Sequence, residues 1–275
     1  MKPELKKRIV TGVVGGAVLL GVTLGLGYYG TAFFAVALAL LLTHEYLEMV
    51  LSLPDRNQKR RVIMGIVWLL GFFSTFLPGL GFELILLSFV GVFFYFLFTA
   101  FRHQAVEDLL ERHLREAAYC FFGILYLGFL PLYLPLIRDQ ESGVLWLLLF
   151  FLMNWAVDSA AYFVGLKYGR KKLYPGISPK KTWEGAWGGL GAAYLVTLGM
   201  KLLALGSMSW AFVLLAPAIV GFTAQAGDLC ESFIKRAFHK KDSSHILPGH
   251  GGFMDRFDGL VVSAPFMYLC IQLLG

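Results

Sequence analysis

At 275 residues, 57% of them hydrophobic and only 15% charged, the chain departs from an ordinary soluble domain, in which roughly 45–50% of residues are apolar and about 25% charged. Its three cysteines, Cys120, Cys230 and Cys270, are odd in number and lack ligand spacing, which excludes a disulfide framework. There is no GxxxxGK[ST] phosphate loop, no HExxH and no GxSxG elbow, which removes the enzyme classes built on them, and no nucleic-acid partner is expected.

In chain order, the apolar residues form nine runs: 9–28, 31–50, 62–78, 82–101, 117–137, 144–166, 185–205, 210–229 and 259–274. Most approach the roughly 20 residues that a helix needs to cross a bilayer. The last has 16 and needs help from residues before Gly259. Assigning the gaps alternately to the two sides puts every one of the 24 lysines and arginines on one side except Arg138 and Lys201. By the positive-inside rule that side is cytoplasmic. The expectation is an all-α polytopic membrane protein of about nine transmembrane helices, N-terminus cytoplasmic and C-terminus outside. Residues 1–137 supply about five spans, and residues 138–275 about four with a cytoplasmic-side catalytic region. The first run is too long for a signal-peptide core and reads as an uncleaved span. The charged stretch 107–116 reads as a helical, solvated connector on the cytoplasmic side.

The second half carries the unusual polar residues. In "NWAVDSAAYFVG" Asp158 lies about two turns before its span ends. A carboxylate at that depth costs several kcal/mol unless paired or facing a wet cavity. It is either a structural partner for a lysine of the next loop or part of a substrate or ion site. In "ISPKKTWEG" Ser178 and Pro179 read as the N-cap and first position of a helix. Lys180 and Lys181 then fall in its first turn, against the dipole, as in an anion site. A polybasic loop lying on anionic lipid would also tolerate them.

The eighth run ends in "AQAGDLCESFIKR", with Asp228 at the membrane boundary and Ser232, Lys235 and Arg236 beyond it. Lys241 and "PGHGGFMDRFDG" follow. Gly249, Gly251 and Gly252 let backbone approach a ligand, and their N–H groups can form an anion nest. Asp255 and Asp258 share a face if helical. Carboxylates beside many cations and a glycine loop point to phosphates with a metal ion. Magnesium takes oxygen ligands, and Asp228 with Asp255 is the natural pair, Asp258 being third. The spacings of His239, His245 and His250 match no usual zinc pattern. A transporter would hold its key polar residues near the midplane, and a lipid-surface binder would not need three aspartates that repel lipid phosphate.

These stretches resemble the phosphatidate cytidylyltransferases. Ser232, Lys235-Arg236, Lys241-Asp242 and "LPGHGGFMDRFD" match that family's signature. "ISPKKTWEG", "VDSAAYFVG", the basic "LKKRI" start and "THEYLEM" are similar to it as well. One departure is Gly259, where many relatives have Ser, which puts a peripheral hydroxyl in doubt. The resemblance implies that CTP and phosphatidate give CDP-diacylglycerol and pyrophosphate in phospholipid biosynthesis. It also implies Mg2+ dependence with K+ sharing the site, and a homodimer in the cell membrane. Combined with the charge pattern, it assigns Asp228 and Asp255 to Mg2+, with Asp258 as ligand or outer neighbour. Lys235, Arg236, Lys241 and Arg256 would bind phosphates. Ser178, Lys180 and Lys181 would hold the CTP triphosphate or the lipid phosphate. Ser232, Gly251, Gly252 and His250 would act as donors, and Asp158 would orient a lysine or bind nucleotide.

Overall fold

The computed structural model describes residues 15–17, 19–23, 25–52, 55–102, 107–244, 246 and 251–275. The basic N-terminal residues, much of the first apolar run, Gly249, His245 and His250 lie outside the described residues. The rest is almost wholly helical, and seven helical stretches are long and apolar enough to cross a membrane: Gly27–Val50, Pro78–Arg102, Glu107–Arg138, Gly143–Tyr168, Trp183–Leu203, Trp210–Ala237 and Met254–Leu274. The third apolar run is also a helix, Arg56–Phe76, but its RNQKRR start dilutes it below the hydropathy of the others. The ninth run gains its missing length from MDRFDG, which enters the last helix.

Two compact units result, Ala32–Leu132 and Tyr133–Gly275 with the described residues up to Thr31. The first contains most of α1 (Gly27–Val50), then α2 (Arg56–Phe76), α3 (Gly81–Arg102) and α4 (Glu107–Gly123). The run at 117–137, expected as one span, lies in the unbroken helical stretch Glu107–Arg138, which changes pitch after α4 through a π-helical turn Ile124–Phe129 and a 3-10 turn Leu130–Leu132 into α5 (Tyr133–Arg138). Pro131 and Pro135 each lack a backbone donor, so a continuous α ladder cannot run through them. The stretch read as a helical, solvated connector is a helix, but His113 and Glu116 within it are buried. Glu116, 4% exposed, accepts a hydrogen bond from Lys59 Nζ at 2.6 Å and another from the Ser52 hydroxyl. A buried carboxylate persists in such a place because its charge and lone pairs are matched.

The second unit positions the site. It is built from α6 (Gly143–Tyr168), a β-hairpin, α7 (Trp183–Leu203), α8 (Trp210–Ala237) and α9 (Met254–Leu274). Apolar surface gives helices in lipid little reason to associate, so close packing through small residues and a few buried hydrogen bonds holds them together. A Cβ on Gly185 would stand 2.6 Å from the Ala161 carbonyl oxygen, and one on Gly189 2.9 Å from that of Val157, so α6 and α7 pack backbone to backbone. The α8–α9 contact is as tight: a Cβ on Gly227 would lie 2.6 Å from the Asp258 carbonyl oxygen, and one on Gly259 2.8 Å from that of Ala224. Gly259 therefore lies at the close approach of α8 and α9, where the Cβ of a serine would meet backbone. Between α9 and α6, Ser263 donates to the buried Asn154 Oδ1 at 3.1 Å.

Gly227→Ala should destabilise the protein by about 1–3 kcal/mol, because the added methyl meets backbone that cannot rotate away. Gly199→Ala, where a Cβ meets nothing within 4 Å, should be neutral or slightly stabilising. Thermal unfolding of both variants in detergent checks this; equal midpoints would contradict the close approach.

Candidate active site

Three carboxylates converge where α8 and α9 touch. Asp228 follows Gly227 and Asp258 precedes Gly259, so the contact that joins the helices also brings these acids together. Glu231 lies three residues beyond Asp228, on the same side of α8. Asp228, Glu231 and Asp258 each present an oxygen within 4.8 Å of the others. Glu231 is 1% exposed, and its Oε1 has no hydrogen-bond partner among the described residues. An orphaned carboxylate oxygen in a crowd of like charges is costly. The donor set, oxygen only and anionic, fits a hard cation such as magnesium and lacks the nitrogen and sulfur ligands that zinc sites favour. Asp158 belongs to the same electrostatic neighbourhood, with Asp228, Lys181 and Arg256 as its charged neighbours. It makes no hydrogen bond or ion pair of its own among the described residues.

Two lysines offset the acids. Lys181 Nζ lies 2.5 Å from Asp228 Oδ2. Lys235, one helical turn after Glu231, bridges Glu231 Oε2 at 2.6 Å and Asp255 Oδ1 at 2.5 Å. Asp255, read from the sequence as a magnesium ligand beside Asp228, is thus one lysine removed from the three-carboxylate cluster. Its other oxygen accepts from Gly252 N at 2.8 Å, Ser243 N at 3.1 Å and the Ser243 hydroxyl at 3.0 Å. Gly251 makes this possible. It holds φ at +80°, and a Cβ there would press on Asp255 Oδ2 at 2.8 Å. The glycines expected to approach a ligand approach this aspartate, and the Gly252 N–H is already engaged.

The expected helix start at Ser178 is corrected. Ser178–Thr182 is strand β2, paired antiparallel with β1 (Lys172–Tyr174) in the register Lys172↔Thr182 and Tyr174↔Ser178. Pro175-Gly176 forms the turn, closed by Ile177 N donating to Tyr174 O at 3.3 Å. The N-cap of α7 is Thr182, whose hydroxyl accepts from Gly185 N at 3.2 Å. Glu184 closes the hairpin base, accepting from the backbone of Arg170 at 3.1 Å and Lys171 at 3.2 Å. On a strand, neighbouring side chains point to opposite faces. Lys181 therefore reaches Asp228 while Lys180 is exposed, and neither opposes a helix dipole.

Arg236 ties two loops together, its Nε donating to Ile177 O at 3.4 Å and its Nη1 to Lys240 O at 3.3 Å. Lys241 and Arg256 are exposed, and Ser178 and Ser232 are half-buried. Sequence reasoning missed Glu231, Thr182 and Ser243. The Asp228-x-x-Glu231 spacing on a helix was the available signal for the first, and Pro175-Gly176 between two basic stretches was the signal for the hairpin.

A sequence profile described as the cytidylyltransferase family matches residues 6–274, and the chain belongs to that family. It is accordingly a nucleotidyltransferase. Among its relatives, a phosphatidate cytidylyltransferase of Brucella suis biovar 1 (strain 1330) is 35% identical over 267 residues, covering 97% of this chain and 93% of that protein. The protein of the same name from Bacillus subtilis (strain 168) is 37% identical over 159 residues, 58% of this chain and 59% of that one.

Glu231→Gln should weaken divalent-cation binding by about tenfold or more, since even partners outside the ligand shell are worth 10–100-fold. Lys235 keeps Asp255 as a partner, so the variant should fold. Mn2+ titration followed by electron paramagnetic resonance measures it, and unchanged affinity would remove Glu231 from the site.

Proposed function

We propose that the protein is a CTP:phosphatidate cytidylyltransferase, which converts CTP and phosphatidate to CDP-diacylglycerol and pyrophosphate. One observation carries the reading: Asp228, Glu231 and Asp258 meet within 4.8 Å where Lys181 and Lys235 also converge. The similarity to relatives of that name along 97% of the chain supports it. A lysine-flanked carboxylate cluster suits a reaction between two polyanions.

In the reaction so read, a phosphatidate oxygen attacks the α-phosphorus of CTP. The bond from that phosphorus to the oxygen bridging the β-phosphate breaks, and pyrophosphate leaves with the electron pair. A phosphomonoester has its second pKa near about 6 and is largely ionised near neutral pH, so no strong general base is required. The work of the protein is to hold the two phosphates in line and to offset their charge. Lys181 and Lys235 each carry three donors and can hold a carboxylate and a phosphate at once. Lys180, Lys241, Arg236 and Arg256 extend the positive rim, with Ser178 and Ser232 as neutral donors. Asp255 fixes Lys235 and the turn at Gly251-Gly252. Asp158 orients Lys181 or receives the nucleotide. Magnesium held by Asp228, Glu231 and Asp258, with potassium nearby, would supply further neutralisation of phosphate charge. The enzyme so read works as a homodimer in the cell membrane, its site toward the cytoplasm, the side to which the lysines and arginines fall.

Purified protein given labelled CTP, phosphatidate and Mg2+ should make CDP-diacylglycerol, and omission of any one component, or addition of EDTA, should stop it. Product formed without phosphatidate, or no product at all, would overturn the assignment. Lys181→Ala should lower kcat/KM by about 100-fold, the scale for one preorganised charge-stabilising donor, while the exposed Lys172→Ala should leave it nearly unchanged. Equal activity in the two variants would remove Lys181 from the phosphate site.

A further inference from the structure

The Ala32–Leu132 unit holds a cavity of about 280 Å³. It lies where the apolar part of α3 gives way to charge: Arg102, the last residue of α3, and Asp55, just before α2, both border it. Its inner wall includes Lys59, whose charge Glu116 already matches at 2.6 Å. Asp55 and Arg102 differ from that pair. Both are exposed, and the side chain of neither has a hydrogen bond or ion pair among the described residues. One carboxylate and one guanidinium thus border the same cavity without being paired to each other.

The remaining lining supplies neutral donors and an apolar side. Gln58 contributes an amide and Tyr95 a phenol, while Thr99, its hydroxyl donated to Phe96 O at 2.9 Å, and His113, its Nδ1 at 2.7 Å from Leu109 O, complete the lining. Phe98 is 63% exposed, and Phe94, one turn earlier on the same face of α3, is 60% exposed. A cavity edged with charge at the end of a helix therefore continues into an apolar stripe running down that helix. The volume is near the low end for small-molecule sites, which suits a headgroup and leaves no room inside for acyl chains.

We infer that this cavity binds the headgroup of a zwitterionic phospholipid with a primary amine, the phosphodiester on Arg102 and the ammonium on Asp55, with the acyl chains along Phe94 and Phe98. The charges decide the class. With Lys59 and Glu116 mutually neutralised, Asp55 and Arg102 balance, so a purely anionic headgroup would meet one attractive and one repulsive charge. An ethanolamine-type headgroup meets two attractive ones, each a charge-assisted hydrogen bond. This inference uses no residue of the carboxylate cluster and stands whether or not the reaction assigned above is correct.

The test uses delipidated full-length protein in detergent, titrated with dioleoyl phosphatidylethanolamine, phosphatidylcholine or phosphatidylglycerol and with soluble phosphoethanolamine, bound lipid being counted by native mass spectrometry. One phosphatidylethanolamine should bind about tenfold or more tighter than phosphatidylglycerol, the scale of a charge-assisted hydrogen bond. Phosphatidylcholine, whose quaternary ammonium cannot donate, should bind more weakly than phosphatidylethanolamine. Arg102→Gln should lose the site by a similar factor, and Asp55→Asn should erase the preference for ethanolamine over glycerol. Both side chains are exposed, so unchanged thermal midpoints should show both variants folded. Equal binding of the two lipids by the native protein, or retention of phosphatidylethanolamine by both variants, would overturn the inference. Phosphoethanolamine binding as tightly as the lipid would also overturn it, by making the ligand a soluble phosphate.

Discussion

The contact between Gly227 and Gly259 sets the chemistry of the second unit. Neither position has room for a Cβ, because each faces backbone of the other helix at under 3 Å. The residues beside them, Asp228 and Asp258, are consequently forced into one small volume, and Glu231 joins them from the next turn of α8. Helix packing ordinarily disperses like charges; here it concentrates them. Such a cluster needs cations, and the structure draws them in from separate places: Lys181 from the hairpin and Lys235 from α8 itself.

Each lysine then passes the constraint outward. Lys235 holds Asp255, and Asp255 holds Ser243 and the Gly251-Gly252 turn. Ser243 and the Gly251-Gly252 turn are therefore both pinned to Asp255. Lys181 pins the hairpin from the other side, and Glu184 and Thr182 fix where that hairpin ends and α7 begins. The polar half of the site is an electrostatic consequence of the helix contact. A phosphate entering it would meet lysines already held in place, so little of their ordering remains to be supplied on binding.

These levels were unequally legible in the sequence. Hydropathy exposed seven of its nine expected spans among the described residues, because it depends only on composition over about 20 residues. The depth of Asp158, the place of Asp228 at a span's end and the spacing of Asp255 from Asp258 identified the polar region. Glu231 was overlooked because one acid at a helix end is ordinary, and its role depends on a neighbouring helix far along the chain. Asp255 and Asp258 look alike in sequence, yet one bonds to four donors of its own chain while the other faces Asp228. Ser178-Pro179 imitates a helix start, since serine and proline favour that position on local grounds. The turn at Pro175-Gly176 and the pairing it allows override that preference, and pairing is a property of two segments together.

The two units also show how a buried acid can be told apart by its bonds. Glu116 and Glu231 are nearly equally hidden, at 4% and 1% exposed, and each contacts a lysine at 2.6 Å. Both Glu116 oxygens have a donor, Lys59 on one and Ser52 on the other. It joins three segments and has no capacity left. Glu231 has one oxygen engaged and one orphaned, and the residue stands in a group of acids. Burial alone would rank them together. The unused lone pairs separate the acid whose bonding capacity is spent on holding helices together from the one that keeps capacity to spare.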